Sequence, residues 1–455
     1  MARLGKGWWV LLISLIIFTG GCTKNSYIDR IPLLPKDDPR CRFPNHVREG
    51  AGLVLSGGGY RATLFHLGAL RRLNELGLLH RMDVISSVSG GSMASAKLAT
   101  YIASQGGKLE HAISRADWEQ QIAVPLRAFT EQDIRTGPIL KRYLIPWNWF
   151  SSTSAINDLA ERLNEEYKGV TLIQLPIRPD FVFNATELSF GTNWEMRNWR
   201  MGSYQTGYVV PPPNNWSLGL AVAASAAFPP AFQPMTVRVH PEEFKQYVWQ
   251  ESQRHRDSPK TERPEGCWKT HDWDEGMKDL RLSDGGVYDN LGLEPIWKNQ
   301  KYVFVSDGGM VLNAQPDQGF LWRLSRWTGI MSEQAGALRR RMLHEIPDIV
   351  PVYWALKNES SEISGYSEDL AANFLSYIRT DLDGFNDVER MVLENHGYLV
   401  VEAAMRNFVR KNSDYIPVKL WPELKAPFPE WLPGAVSECK IKKALVSGFD
   451  GCTDS

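Results

Sequence analysis

Between Gly52 and Ala103 the chain twice runs from a short apolar strand, through a turn of small residues, into a helix. Gly52 to Leu55 leads into Gly57-Gly58-Gly59, after which Leu64, Leu67, Leu70, Leu73 and Leu76 recur at helical spacing. Val84 to Val88 leads into Ser89-Gly90-Gly91 and then into Met93 to Ala103, a helix rich in alanine and other small residues. Strands that alternate with helices in this order lie parallel, because each crossover helix carries the chain back to the same end of the sheet and covers one face of it. The expected class is therefore α/β, a three-layer α/β/α sandwich around a mainly parallel central sheet.

The rest of the chain extends this pattern. Leu159 to Tyr167 is an amphipathic helix, Phe181 to Thr186 a buried strand, and Leu218 to Ala227 an alanine-rich helix that must end before Pro229-Pro230. Residues 240–279 are charged and irregular and read as a surface insertion containing Cys267. Core pattern resumes near Leu280, with a further strand at Tyr302 to Val305 and helical stretches at Ala335 to His344 and Gly397 to Val409. We expect a catalytic domain over 51–310 and a mainly helical C-terminal extension over 311–455 packed on it. No internal repeat recurs at a fixed period.

Arg3 and Lys6 precede the apolar run Trp8 to Phe18, and Thr19-Gly20-Gly21 stand directly before Cys22. This has the layout of a secretion signal over 1–21, and the run is short for a spanning helix, which needs about 20 apolar residues. The placement of Cys22 resembles a bacterial lipoprotein signal, in which the cysteine is lipidated; Thr19 stands where an aliphatic residue is usual, which keeps an uncleaved signal anchor as the alternative. Thr23 resembles outer-membrane sorting, so the expected location is the bacterial cell envelope, lipid-anchored, at the outer membrane. Residues 22–50, with Pro32, Pro35, Pro39 and Pro44, read as a tether. Cys41, Cys267, Cys439 and Cys452 are enough for two disulfides in an exported chain, and Cys439 with Cys452 would close a short loop. No cysteine or histidine cluster has zinc-ligand spacing, so no metal site is expected.

Lys plus Arg (51) nearly cancels Asp plus Glu (52), which leaves no basic excess to neutralise nucleic-acid phosphates. Among the 17 tryptophans, those in Trp147-Asn148-Trp149-Phe150 suit a membrane interface or the mouth of an apolar site.

Three short segments carry chemistry. Ser87-Val88-Ser89-Gly90-Gly91 is one residue from a Gly-x-Ser-x-Gly nucleophile elbow, whose small neighbours let a strained serine project from the end of the sheet. Ser56-Gly57-Gly58-Gly59-Tyr60-Arg61 opens the first helix with unhindered N–H groups that can converge on an anion. It lacks the Gly-Lys-Ser or Gly-Lys-Thr ending of a phosphate loop, and Ala62 stands where a dinucleotide fold would want glycine. Beside an elbow serine it reads as an oxyanion hole. Ser283-Asp284-Gly285-Gly286 places a carboxylate on a tight turn, where it can act as base, and Asp307-Gly308-Gly309 is the rival. A Ser-Asp-His esterase using His344 or His396 is a second reading, and a lipid-binding module without turnover a third.

In combination these segments resemble the patatin-like phospholipases. The resemblance runs from about Gly52 to Gly309 and includes His66 and Gly68 in the first helix and Ala224-Ser225-Ala226-Ala227-Phe228-Pro229 in the middle. It implies a Ser-Asp dyad of Ser89 and Asp284 on an α/β/α sandwich, an oxyanion hole of Gly57, Gly58 and Gly59, a membrane-lipid substrate and no cofactor. Arg61-Ala62 is closer to the cytosolic phospholipases and makes Arg61 a candidate phosphate contact as well as a structural charge at a helix start.

Overall fold

The computed structural model describes residues 26–27, 48–134, 136, 155–229, 232–238, 244–247, 268–270, 280–309, 316–411, 421–446, 449 and 451–452. The signal segment, Cys22, nearly all of the tether, Trp147 to Phe150, Cys41 and Cys267 lie outside the described residues.

Strand β1 (Ala51–Leu55), helix α1 (Gly59–Glu75), strand β2 (Val84–Val88) and helix α2 (Gly90–Ser104) form the expected βαβα start. Helix α3 (Ala155–Glu166) and strand β3 (Asp180–Glu187) follow, then the antiparallel strands β4 (Thr192–Met196), β5 (Met201–Ser203) and β6 (Gly207–Val209). Helix α4 (Leu218–Ser225), β7 (Met235–Arg238) and β8 (Leu280–Asp284) bring the chain back to β3, and β9 (Tyr302–Asp307), α5 (Phe320–Glu345), β10 (Val350–Ala355) and α6 (Asp387–Lys411) complete the scaffold.

Five neighbouring strands run parallel in the order β10, β9, β1, β2, β3. Beyond β3 the sheet continues antiparallel through β4, β5 and β6. The surface insertion is more ordered than its charge pattern suggests, since its described pieces, Phe244–Tyr247 and Trp268–Thr270, add two more antiparallel strands. The exposed edge of β6 offers unpaired backbone groups, and these recruit strands with little regard to side chain. The C-terminal region is likewise more than helical. Its run Val350-Pro351-Val352-Tyr353-Trp354 is β-branched and aromatic, and Pro351 is tolerated because β10 is an edge strand.

Alternation along β1 divides the core. Leu53 and Leu55 face a large apolar cluster shared with α1 to α4 and α6, whereas Val54 joins Val303 and Val305 against Leu291, Leu293, Ile296 and Leu343 on the other face. These are the two outer layers of the sandwich. The thicker one is centred on the crossing of α1 and α6, where Gly68 and Gly397 let the backbones touch: a Cβ on either would overlap a carbonyl of the opposite helix. Two ion pairs flank that crossing, the buried Arg72 with Glu402 at 2.7 Å and the partly buried Arg127 with Glu394 at 2.6 Å. Near the C-terminus Cys439 and Cys452 form a disulfide with a Cα–Cα distance of 5.8 Å.

Candidate active site

Strand β3 has one edge and two partners on it. Its first half pairs in parallel with β2, Val88 opposite Asn184, and its second half pairs antiparallel with β8, Asp284 opposite Ala185. The two partners therefore run toward each other along the same edge and stop head to head. Ser89 and Asp284, remote in sequence, become neighbours because Asn184 and Ala185 are adjacent.

Ser89 sits at φ 50°, ψ −118° between β2 and α2, a conformation that costs a non-glycine residue about 1–3 kcal/mol. Its N–H donates to Ser225 Oγ at 2.9 Å, and that hydroxyl donates to Asn184 O at 2.6 Å. Ser225 also accepts, through its own carbonyl, the N–H of Gly285 at 3.1 Å. One residue of α4 thus holds the Ser89 turn with its side chain and the Asp284 turn with its backbone. Beneath it Ser92, Ser87 and Ser95 form a buried hydroxyl chain, with Ser92 Oγ 2.9 Å from Ser225 Oγ and Ser87 Oγ 2.7 Å from Ser95 Oγ. Ser87 replaces the usual first glycine of the elbow and is used here as a hydrogen-bonding group.

Asp284 is almost fully buried. Its Oδ1 accepts the Gly286 N–H at 2.7 Å, while Oδ2 has no aligned partner. Burial pushes the carboxyl up to about 6, against the smaller opposing effects of the Gly286 N–H and the neighbouring Ser89 hydroxyl. A carboxylate that is dehydrated and lacks a counter-ion is a stronger base than one on a surface.

The glycine loop closes over this pair. Gly57 lies against Ser89, since a Cβ there would come within 3.2 Å of Ser89 Cβ, and its N–H is already given to Asn290 O at 2.9 Å. Gly58 and Gly59 have positive φ, 146° and 57°, and among the described residues no acceptor takes either N–H. The loop therefore offers two free donors where three glycines suggested three. Thr63 Oγ1 lies 3.1 Å from Gly59 O and 2.9 Å from Gly90 O, which ties the loop to the elbow.

The family model described as patatin-like phospholipase matches residues 53–297, more than half of the chain. The chain belongs to the patatin-like phospholipase family. It is 28% identical over 120 residues to the Saccharomyces cerevisiae protein named "Putative meiotic phospholipase SPO1", covering 25% of this chain and 18% of that one. Human GIVD cytosolic phospholipase A2 is similar at 12% identity with a TM-score of 0.44, over 80% of this chain and 62% of that one. VipD from Legionella pneumophila is similar at 14% identity with a TM-score of 0.31, over 79% and 67%. The chain thus spans less than a fifth of the yeast protein and about three fifths of the human one.

The remaining candidates of this patatin-like site have other duties. Arg61 is buried, with its guanidinium donating to Ser376 O and Ile378 O at 2.8 Å each and to Gly308 O at 3.1 Å, so its bonds are those of the structural alternative. Asp307 is held by Arg340 at 3.1 Å, Tyr353 Oη at 2.8 Å and the Gly309 N–H at 3.0 Å, and among the described residues it has no hydrogen bond to the Ser89 turn. His66 bridges Ser306 Oγ and Ser56 O at 2.9 Å each, and burial lowers it to about 4, so it is a neutral strut. His396 is buried against Leu356 O at 2.7 Å and also lowered to about 4 by burial; His344 is exposed near the end of α5. Among the described residues no histidine bonds to Ser89 or Asp284. Sequence reading passed over Ser225 and Asn290. The first stood in a quoted block without a role, and the second is visible only when Gly57, Gly286 and Gly309 are all seen to pack around its amide.

Two outcomes follow from these supports. Ser225→Ala leaves the Ser89 N–H without its acceptor and should lower kcat on a soluble ester by about tenfold or more with little change in KM, as a lost buried hydrogen bond of about 1–3 kcal/mol implies; steady-state kinetics read the split. For Asp284, the folded carboxyl binds its proton more tightly than the unfolded one. Its cost to stability is absent below about pH 4, grows as pH rises through about 6, and approaches about 3 kcal/mol. Asp284→Asn should therefore raise Tm at pH 8 and lose that advantage near pH 4, as thermal melts at both values will show.

Proposed function

We propose that the protein is a serine lipid acyl hydrolase that cleaves acyl esters of glycerolipids, phospholipids among them, through a Ser89–Asp284 dyad. The observation that carries this reading is the head-to-head meeting of β2 and β8 under a glycine loop with two free N–H groups. Family membership supplies the substrate class. Exposed Val287, three residues after Asp284, and exposed Phe228, next to Ala227 whose carbonyl accepts the Asp284 N–H, give the surroundings the apolar character that an acyl chain requires.

In this reading Asp284 takes the proton of Ser89 Oγ as the oxygen attacks the acyl carbonyl. The carbonyl oxygen becomes an oxyanion facing the Gly58 and Gly59 N–H groups, and the dipole of α2, whose N-terminus begins at Gly90, favours the same charge. Collapse breaks the ester C–O bond, and the carboxyl of Asp284 returns its proton to the departing alcohol. Water then attacks the acyl-enzyme, gives its proton to Asp284, and releases the fatty acid as Ser89 Oγ regains a proton. No step calls for a metal or cofactor.

The expected behaviour is specific. Ser89→Ala should abolish labelling by a fluorophosphonate probe, and Asp284→Asn should lower turnover by about 10³-fold or more while the protein stays folded by circular dichroism. Activity should rise with pH through about 6 as Asp284 loses its proton, since only the carboxylate accepts the Ser89 proton. His344→Ala should leave turnover within about twofold of the unsubstituted chain; loss of activity there would favour a Ser-Asp-His esterase.

On separate grounds, Cys22 and the apolar run before it, we propose that the chain is attached at the bacterial cell envelope, by a lipid on Cys22 or by an uncleaved anchor. Among the described residues no helix is long and apolar enough to cross a membrane. Intact mass of the membrane-extracted protein distinguishes the two attachments: a mature chain beginning at an acylated Cys22 supports the first, and a retained Met1 to Gly21 the second.

A further inference from the structure

Three glycines of the site owe their identity to one amide. Gly57, Gly286 and Gly309 all lack a positive φ, so no turn conformation demands glycine at any of them. What excludes a side chain is the close approach of Asn290. A Cβ on Gly57 would lie 2.3 Å from Asn290 Oδ1 and 3.2 Å from Ser89 Cβ, and one on Gly286 would lie 2.6 Å from the same Oδ1 and 2.9 Å from Asp284 Oδ1. On Gly309 a Cβ would meet the other end of the amide, Nδ2, at 3.1 Å. The amide is caged by the glycine loop, the Asp284 turn and the turn after β9. Closing the two triangles leaves Asn290 Oδ1 within about 5.5 Å of both Ser89 Cβ and Asp284 Oδ1. Yet the side chain has no hydrogen bond to any of the described residues. Its backbone is fixed separately: the carbonyl accepts the Gly57 N–H at 2.9 Å, and the preceding carboxylate of Asp289 accepts the N–H groups of Leu291, Leu293 and Glu294. A half-buried amide held this firmly without a protein partner has its polar atoms directed at something other than protein.

Resting on the proposed chemistry of Ser89 and Asp284, we propose that Asn290 Oδ1 holds the water that cleaves the acyl-enzyme and so sets hydrolysis ahead of acyl transfer to an alcohol. The attacking molecule has to stand beside Asp284, on the side of the acyl carbon from which the first alcohol departed. Water in that place carries two protons. Asp284 takes one as the water oxygen bonds to the acyl carbon. The other requires an acceptor, and Oδ1 stands at a separation from the carboxyl that one water covers with two hydrogen bonds of about 2.8 Å. This second proton stays on the attacking oxygen and becomes the hydroxyl of the released acid; the bond from Ser89 Oγ to the acyl carbon breaks, and Oγ takes the proton from Asp284. An alcohol has a single hydroxyl proton, which goes to Asp284, and it presents carbon where water presents its second proton, so Oδ1 does not stabilise it. An amide suits the task because its oxygen accepts a hydrogen bond without taking the proton.

The partition of one acyl-enzyme between water and methanol tests the assignment. The full chain is given p-nitrophenyl butyrate in methanol–water mixtures, and butyrate and methyl butyrate are quantified together. Asn290→Leu keeps the shape of the amide without its oxygen and should raise the ratio of methyl ester to acid by about fivefold or more, with the loss falling on deacylation and not on the pre-steady-state burst of p-nitrophenol. Asn290→Asp retains an acceptor oxygen and should keep the ratio within about twofold of the unsubstituted chain. Both products come from the same intermediate, so the ratio is independent of how much of a variant is folded. Asn290→Ala, which fits wherever the amide fits, carries the same expectation as the leucine variant and replaces it if that variant does not fold. An unmoved ratio in a variant without the oxygen overturns the proposal, and so does a loss confined to the burst, which would make the amide a support of acylation alone. If the unsubstituted chain neither releases p-nitrophenol nor takes a fluorophosphonate label, the hydrolase reading falls and this inference with it; a labelled Ser89 with an unmoved ratio removes the inference alone.

Discussion

A single edge of β3 decides where the chemistry can be. β2 and β8 compete for it from opposite directions, and the ladder passes from one to the other between Asn184 and Ala185 without a gap. Side chains alternate along a strand, so a slip of one residue in either partner would send Ser89 or Asp284 to the wrong face of the sheet. The junction is pinned accordingly. Asn184 Nδ2 donates to Ser87 O at 2.9 Å and Ser86 Oγ at 2.8 Å, and Thr186 Oγ1 donates to Asp284 O at 2.8 Å. Ser225 then fastens both turns from α4.

This edge also concentrates unfavourable terms. Ser89 is held at positive φ and the Asp284 carboxyl is stripped of water with one oxygen unmatched. Either would relax in isolation. The surrounding hydrogen bonds, helix dipole and close-packed glycines over-determine the geometry, and the resulting strain and raised basicity are what the proposed chemistry draws on.

Much of the scaffold was legible because it follows from local periodicity. β2 lies where its apolar run placed it, and β1, β3 and β9 are displaced from theirs by no more than two residues. The elbow and the glycine loop were legible for a related reason: a strained turn admits few residue types, and Ser89-Gly90-Gly91 or Gly57-Gly58-Gly59 advertises it. The inward role of Arg61 was not, because three carbonyls from distant segments accept its bonds and sequence spacing carries no trace of them. Nor was the start of α5 at Phe320, since Trp327, Met331, Leu338 and Met342 are exposed and its inward hydrogen bonds and ion pairs come from two arginines and a serine. The strands within the insertion were hidden too, because an open sheet edge and not their composition draws them into place.

The bonds of Arg61 bear on where a working unit of this protein can be cut. The family match ends at residue 297, yet Ser376 and Ile378 supply two of the three carbonyls that hold the guanidinium, Thr380 walls the back of Gly59, and β9 lies alongside β1. A fragment trimmed to the matched region would keep every residue of the proposed dyad. It would also leave a buried cation without acceptors and an open seam beside β1. The recognisable stretch is a unit of descent, while the unit that folds around the reacting groups reaches at least to Asp381, whose carbonyl accepts the N–H of Tyr60 just after the loop.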